Sequence, residues 1–367
     1  MAETESFPPF PEMNPPKIVM KTLFSRSSLA ACALACAAAA PLPAADGPYR
    51  FIKEIPVGGD GGWDYLTVDP AAHRLYLSHA TAVVVVDTGT DAVIGRIEDT
   101  PGVHGFAVAP KLNRGFASNG RENNVSIVDL ATLKTLSKTP TGQNPDWIMY
   151  EPAGGEVYTF NGRSHSSTVI AAESGQVVAT IELGGKPETA MADPSLGRIY
   201  DNLEDKNEVV AIDTKSHAVV ARWSIAPNAA ASGMAIDRAH HRLILGCGDS
   251  NTMALLDYTT GKVVASVPIG PGVDASSFDP GTQLAFCSSG GDGTVTIAHE
   301  DSPDKLTVVQ SLATERGART MTLDPSTHKI YLASARYLAA STPAGGGRGR
   351  PQMVPGSFKV LVYGMER

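Results

Sequence analysis

The stretch Trp63–Asp99 reads WDYLTVDPAAHRLYLSHATAVVVVDTGTDAVIGRIED. Four short strands stand in it one after another: Leu66–Val68 before the turn Asp69-Pro70, then Arg74–Ser78, Val83–Val86 and Val93–Glu98. β-branched and aliphatic residues alternate or cluster in these segments, and Pro, Gly, Asp and Thr bound them, which is the pattern of strands and turns. A four-stranded meander of this size leaves both faces uncovered, so it is stable only if it recurs and stacks on its own copies.

It does recur. The Asp69-Pro70 pair returns as Ala109-Pro110, Glu151-Pro152, Asp193-Pro194, Asp237-Arg238, Asp279-Pro280 and Asp324-Pro325, at intervals of 40–45 residues. A second-strand match follows each pair: RGFAS, EVYTF, RIYDN, RLILG, QLAFC and KIYLA. Third strands end at Asp129, Asp213, Asp257, His299 and Tyr363, with a looser third copy, STVIAAE, ending at Glu173. Seven four-strand units of this period predict a seven-bladed all-β propeller with antiparallel blades. The chain ends just after the third strand of the seventh unit, while Phe51–Val57 matches the fourth strands of other units and has no blade in front of it. By count, this N-terminal strand completes the last blade and removes an open sheet edge.

The pattern RLYLS–x–VVVVD, with GGKPETAMADP and GQNPDWIMYEP between units, resembles the YVTN-type repeat proteins of the quinoprotein amine dehydrogenase-like superfamily. The resemblance spans about residues 49–367. It implies an exported seven-bladed propeller and leaves function open, because that superfamily holds dehydrogenase subunits, haem enzymes, surface-layer proteins and binding scaffolds. The chain has no C-x-x-C-H haem-attachment motif.

The 367 residues carry a formal charge of −8, which argues against nucleic acid as a partner, since phosphate contacts need an excess of Lys and Arg. Residues 1–19 are polar and Pro-rich, and read as disordered or as lying upstream of the true start at Met20. Residues 20–45 have the grammar of a cleaved export signal: Lys21 and Arg26, an apolar run Ser28–Ala40, and small residues to Ala45. The expectation is a periplasmic or secreted monomer with no transmembrane anchor after cleavage. LAAC at Leu29–Cys32 resembles a lipoprotein box, but Arg26 leaves no apolar run before Cys32, which weighs against lipidation. Of the four cysteines, Cys247 and Cys287 lie beyond the signal. Adjacent blades pack about 10 Å apart, too far for a disulfide, so two free buried thiols are favoured over a bridge.

In a propeller the loop before each innermost strand opens at one end of the central channel. Five residues before each anchor stand Asp64, His104, Asp146, Glu188, Ser232, Asp274 and Arg319, which predicts a ring at the channel mouth. Converging carboxylates suit a divalent cation such as Ca²⁺. His104 suits a transition metal or acid–base work, and Asp64, His104, Asp146 and Glu188 are the metal candidates. The same residue types also serve to bond loop backbone where a strand begins. Arg121, Arg163 and His165, in the polar loops NGRENN and NGRSH, have no turn role and are candidates for ligand contact. Trp63 and Trp147 flank two of the acids and fit either a cationic or sugar ligand or packing between blades. His73, His241 and His328, before second strands, and Asp87, Asp129, Asp213 and Asp257, ending third strands, read as turn residues. The Gly/Pro-rich, basic loop 336–357 (residues 336–357, with Arg348 and Arg350) breaks the repeat and emerges at the ring end as a lid or as disorder.

Three functions fit. The first is a binding or scaffold propeller, its small-molecule or protein partner at the channel mouth, favoured because no complete catalytic signature is present. The second is a metal-assisted enzyme of the lactonase or lyase sort. The third is a redox accessory of a quinoprotein system.

Overall fold

The computed structural model describes residues 47–338 and 352–365. The segment expected to be an export signal, Cys32, Arg348 and Arg350 lie outside the described residues.

Seven sheets of four antiparallel strands follow one another in chain order. Blade one is Trp63–Asp69, Arg74–His79, Ala82–Asp87 and Ala92–Ile97. Blades two to six begin at Val103, Pro145, Pro187, Ala231 and Val273. Blade seven combines Met321–Asp324, Lys329–Ser334 and Lys359–Met365 with Tyr49–Pro56 as its outer strand. The closing strand is therefore the one the repeat count selects. It pairs antiparallel with Lys359–Met365 from Tyr49↔Met365 to Pro56↔Lys359. Tyr49 also ties it to blade six: its backbone N–H donates to Gln310 Oε1 at 2.9 Å, and Gln310 Nε2 donates to the Tyr49 carbonyl at 2.9 Å.

Each inter-blade boundary has its own apolar cluster. Alternate side chains of a strand point to opposite faces, so one blade serves two clusters. In blade five, Leu243, Leu245 and Cys247 pack with Tyr200 and Val209 of blade four, while Ile244 and Leu255 pack with Ala285 and Cys287 of blade six. This arrangement explains the cysteines. Each thiol faces its own preceding blade, the blade-five sheet stands between the two, and both are buried and free.

Two boundaries differ from the sequence expectation. The third strand of blade three ends at Ala171, and Glu173 falls in the following turn. In blade six the third strand runs on past His299 to Ser302 and pairs with a nine-residue outer strand, Lys305–Ala313. The acids ending third strands cap turns: Asp87 Oδ1 accepts from the Gly89 N–H at 2.9 Å and the Thr90 N–H at 2.7 Å, and Asp129 does the same for its own turn.

Candidate functional site

Six of the seven ring residues sit at a break in strand register. The pairing of first and second strands slips between Trp63 and Leu66, Val103 and Phe106, Pro145 and Ile148, Pro187 and Ala190, Ala231 and Gly233, and Val273 and Ala275. A bulge leaves a residue unpaired and re-aims its side chain; here it frees Asp64, His104, Asp146, Glu188, Ser232 and Asp274. Arg319 lies just ahead of the shorter strand Met321–Asp324.

These side chains meet. His104 Nδ1 lies 2.6 Å from Asp64 Oδ2 and 3.5 Å from Asp146 Oδ1, so one imidazole joins blades one, two and three. Gly120 makes room for that ring, since a Cβ there would stand 2.6 Å from His104 Nε2. Burial pulls the imidazole pKa down, but the Asp64 hydrogen bond and the Asp146 and Asp64 charges overcome this and push it up to about 9. Arg319 Nε donates to Asp274 Oδ2 at 2.6 Å, and its Nη2 to the Trp63 carbonyl at 3.3 Å, which joins blades six, seven and one. On the far side of the ring Lys186 bridges Glu188 and Glu204, the latter at 2.6 Å. Blade five contributes only the Ser232 hydroxyl, 3.4 Å from Glu204 Oε1.

The ring thus sets five carboxylates, Asp64, Asp146, Glu188, Glu204 and Asp274, against three cations, His104, Lys186 and Arg319. The imbalance shows in the acids. Burial raises the Asp146 carboxyl, and the Asp64 and Asp274 charges raise it further against the relief from His104. Glu188 is raised by burial and by Asp146. Asp274 is pushed up to about 6 by burial and by Asp64, even with Arg319 in contact.

Tyr65, which the repeat pattern alone does not single out, forms the floor. Its ring meets Trp147 edge-on, with centroids 4.8 Å apart. Tyr65 belongs to blade one and Trp147 to blade three, so the contact reaches past blade two. The phenol is held protonated by burial and by the charges of Asp146, Glu188, Asp64 and Asp274, carboxylates from four different blades. Beyond Trp147 the channel turns apolar. A cavity of 570 Å³ lined by Leu66, Phe106, Trp147, Met149 and Leu323 and another of 310 Å³ lined by Met191, Ile236 and Phe278 share Arg238 and Pro325 at the opposite mouth.

The other candidates divide. Trp63 is 7% exposed and packs on Phe358 and Tyr337 at 5.3 and 6.3 Å, so it presents no open face to a ligand. Arg121 and Arg163 are exposed in their loops. His165 does have a turn role, contrary to expectation: its φ of 54° matches Asn123, Asn207 and Asn251 at the corresponding positions of blades two, four and five. The stem of the loop 336–357 closes beside the ring, with Leu338 N–H donating to the Gln352 carbonyl at 2.8 Å. Lys186 and Glu204 are also absent from the sequence-derived ring, because both lie outside the column that defines it.

Asp64, His104 and Asp146 could hold a metal ion, having ligand atoms within 4.8 Å of one another. A metal ion there would have to displace the proton that the Asp64 and Asp146 charges hold on His104.

No family model matches the chain, and no curated protein matches it. Among solved structures, a chain of the Kuenenia stuttgartiensis hydrazine synthase superposes with a TM-score of 0.65 at 19% identity, covering 77% of this chain and 96% of that one. A chain from a crystal structure of a mitotic checkpoint complex superposes with a TM-score of 0.67 at 14% identity, covering 86% and 95%. At these identities the likeness establishes the propeller fold and nothing more specific.

Proposed function

We propose that this chain is an exported YVTN-type propeller that binds a small cationic ligand, such as an amine or guanidinium compound, at the mouth ringed by Asp64, His104, Asp146, Glu188 and Asp274. The observation that carries this reading is the excess of half-buried carboxylates over cations. Carboxyls raised by their neighbours gain stabilisation from any added positive charge. Tyr65 and Trp147 below the ring add aromatic surface of the kind that favours cations. Export to the periplasm or beyond rests on the signal-like sequence Met20–Ala45, and the YVTN assignment on the repeat motifs. Among the described residues no helix is long and apolar enough to cross a membrane.

One observation favours a second reading, an acid–base enzyme of the lactonase or lyase sort. Asp274, at about 6, lies where a general acid or base works efficiently near neutral pH.

A thermal-shift panel of amines, sugars, carboxylic acids and divalent metals tests the first reading. Amines are expected to raise Tm in the parent, less in Asp146→Asn, which removes an acid, and at least as much in His104→Ala, which removes a competing cation. Shifts undiminished in Asp146→Asn would place the ligand elsewhere. Turnover of a lactone without any amine effect would favour the enzyme.

A further inference from the structure

At the opposite end of the disc, Asp237, His240 and Glu300 bring three potential ligand atoms within 4.8 Å of one another. The repeat shows how unusual this cluster is. In blades one to six the residue following the Asp87 position has a fixed place, because its backbone N–H donates to a carbonyl in the preceding turn: Thr88 to His73, Leu130 to Asn113, Ala172 to Gly155, Thr214 to Gly197, Tyr258 to His241 and Glu300 to Gln283. From that place Tyr258 of blade five reaches the anchor acid of blade four, and its hydroxyl donates to Asp193 Oδ2 at 2.8 Å. Blade six puts Glu300 in the same place against Asp237 of blade five. A hydroxyl on a carboxylate is a hydrogen bond, whereas a carboxylate on a carboxylate is repulsive unless a proton or a cation stands between them.

Glu300 is 4% exposed, and neither of its oxygens has a hydrogen-bond partner. Buried polar atoms are nearly always satisfied, so such an orphan points to a missing partner. His240 supplies the third group. Its Nδ1 lies 2.5 Å from Asp237 Oδ2 and 3.9 Å from Glu300 Oε1. At the equivalent position three residues after the anchor, the other blades carry Ala72, Leu112, Gly154, Leu196, Thr282 and Thr327, none of them ionisable. The nearby Arg242 bonds the Pro303 carbonyl at 2.6 Å, Asp304 Oδ1 at 2.8 Å and the His240 carbonyl at 2.9 Å, and its charge reaches Glu300 without a hydrogen bond to it. The His240 side chain is 37% exposed, which leaves an approach from solvent.

We infer that Asp237, His240 and Glu300 form a binding site for a divalent transition cation of the Zn²⁺ or Mn²⁺ class, which staples blade five to blade six. Two carboxylates and one imidazole match the ligand preferences of these ions, and a fourth position faces solvent. Zinc bonds of roughly 2.0–2.1 Å set tetrahedral ligand atoms about 3.3 Å apart. His240 has to withdraw from Asp237 by less than about 1 Å and approach Glu300 by a similar amount, within reach of side-chain rotation. Burial and the Asp237 charge raise the Glu300 carboxyl, as expected of two acids set against each other.

The test uses tag-free protein, dialysed against chelator and titrated with Zn²⁺ and then Mn²⁺, with bound metal measured by elemental analysis and affinity by calorimetry. The parent and His104→Gln, which alters the other trio, are expected to bind one equivalent and to melt higher with it. Glu300→Gln and His240→Ala are expected to lose that equivalent, with affinity falling by about 100-fold or more. His240 is partly exposed, so its variant folds even where the buried Glu300→Gln does not. No binding by the parent, undiminished binding by His240→Ala, or loss in His104→Gln instead would overturn the assignment and leave Asp237 and Glu300 as a proton-sharing pair.

Discussion

Two trios of the same composition, two carboxylates and one imidazole, stand at opposite ends of this propeller. At the mouth, Asp64, His104 and Asp146 are 15–27% exposed, and the imidazole lies within reach of both acids. At the other end, Asp237 and Glu300 have side chains 2% and 1% exposed, and His240 meets one acid closely and the other at 3.9 Å. The difference lies in how each repulsion between carboxylates is relieved. Where water still reaches the groups, a proton on the histidine is enough. Where the acids are sealed between blades, one of them is left without any partner, and only a proton or a metal ion satisfies it.

The severest way to break the comparison is to open the ring, because both trios depend on neighbouring blades being held in register. Deleting residues 47–58 removes the outer strand of blade seven, the Tyr49 anchor on Gln310 and the edge-on contact of Tyr49 with Phe286 at 5.1 Å. The expected outcome is aggregation or loss of a cooperative melt in calorimetry, since the strand Lys359–Met365 becomes an exposed apolar edge. A truncated protein with an unchanged melt would remove the closure from the account.

Next in size is His104→Ala. It leaves Asp64 and Asp146 facing each other in a half-buried site with no cation between them. The expected loss is about 1–3 kcal/mol in chemical denaturation at pH 7, the usual cost of orphaning such a group. His240→Ala in metal-free protein should lose less, because the proton shared by Asp237 and Glu300 remains. Equal losses would mean that the two trios are balanced in the same way.

The architecture was legible in the sequence because a propeller repeats its rules: a register shared by seven units told which strand closes the ring and which column of residues faces the mouth. The partners that balance the charge were not legible, because they break the repeat. Tyr65 occupies a strand position that reads as core, yet its ring reaches past blade two to meet Trp147 of blade three. Lys186 stands outside the column used to find the ring. His240 and Glu300 were visible in principle, as the sole histidine and the sole carboxylate in their respective columns, but their proximity depends on a contact between blades five and six that sequence spacing does not reveal.

pH sharpens the contrast further. The folded pKa of His104, about 9, lies above the unfolded value of 6.5, so its stabilisation is fully present below about pH 6.5 and is lost as pH rises through about 9. The full shift is on the order of 3 kcal/mol. The raised Asp274 acts in the same direction at lower pH: its contribution is present below about 3.8 and is lost as pH rises through about 6. Stability should therefore decline between pH 5 and 9. Asp64→Asn should flatten the upper part of that decline and bring the His104 titration, followed by its NMR ring-proton shift, down from about 9. A His104 titration that ignores the substitution would show that Asp64 does not hold the proton in place.

The last contrast is with Asp201, the natural control for Glu300. It lies in the second strand of blade four, is 0% exposed, and neither oxygen has a hydrogen-bond partner. Burial, and then the Glu188 charge, holds its carboxyl well above the ordinary range. The candidate metal clusters among the described residues do not include it. A proton is thus the one neutralising agent within its reach. Its folded pKa lies above its unfolded value, so its contribution is present below about pH 3.8 and fades as pH rises towards the folded value. Asp201→Asn keeps the shape and removes the titration. The variant should match the parent near pH 4, melt higher near pH 8, and respond to Zn²⁺ as the parent does. A variant less stable at every pH would mean that Asp201 is ionised against a hidden cation. The buried orphan acids at 201 and 300 would then differ in their partners and not in whether they have one.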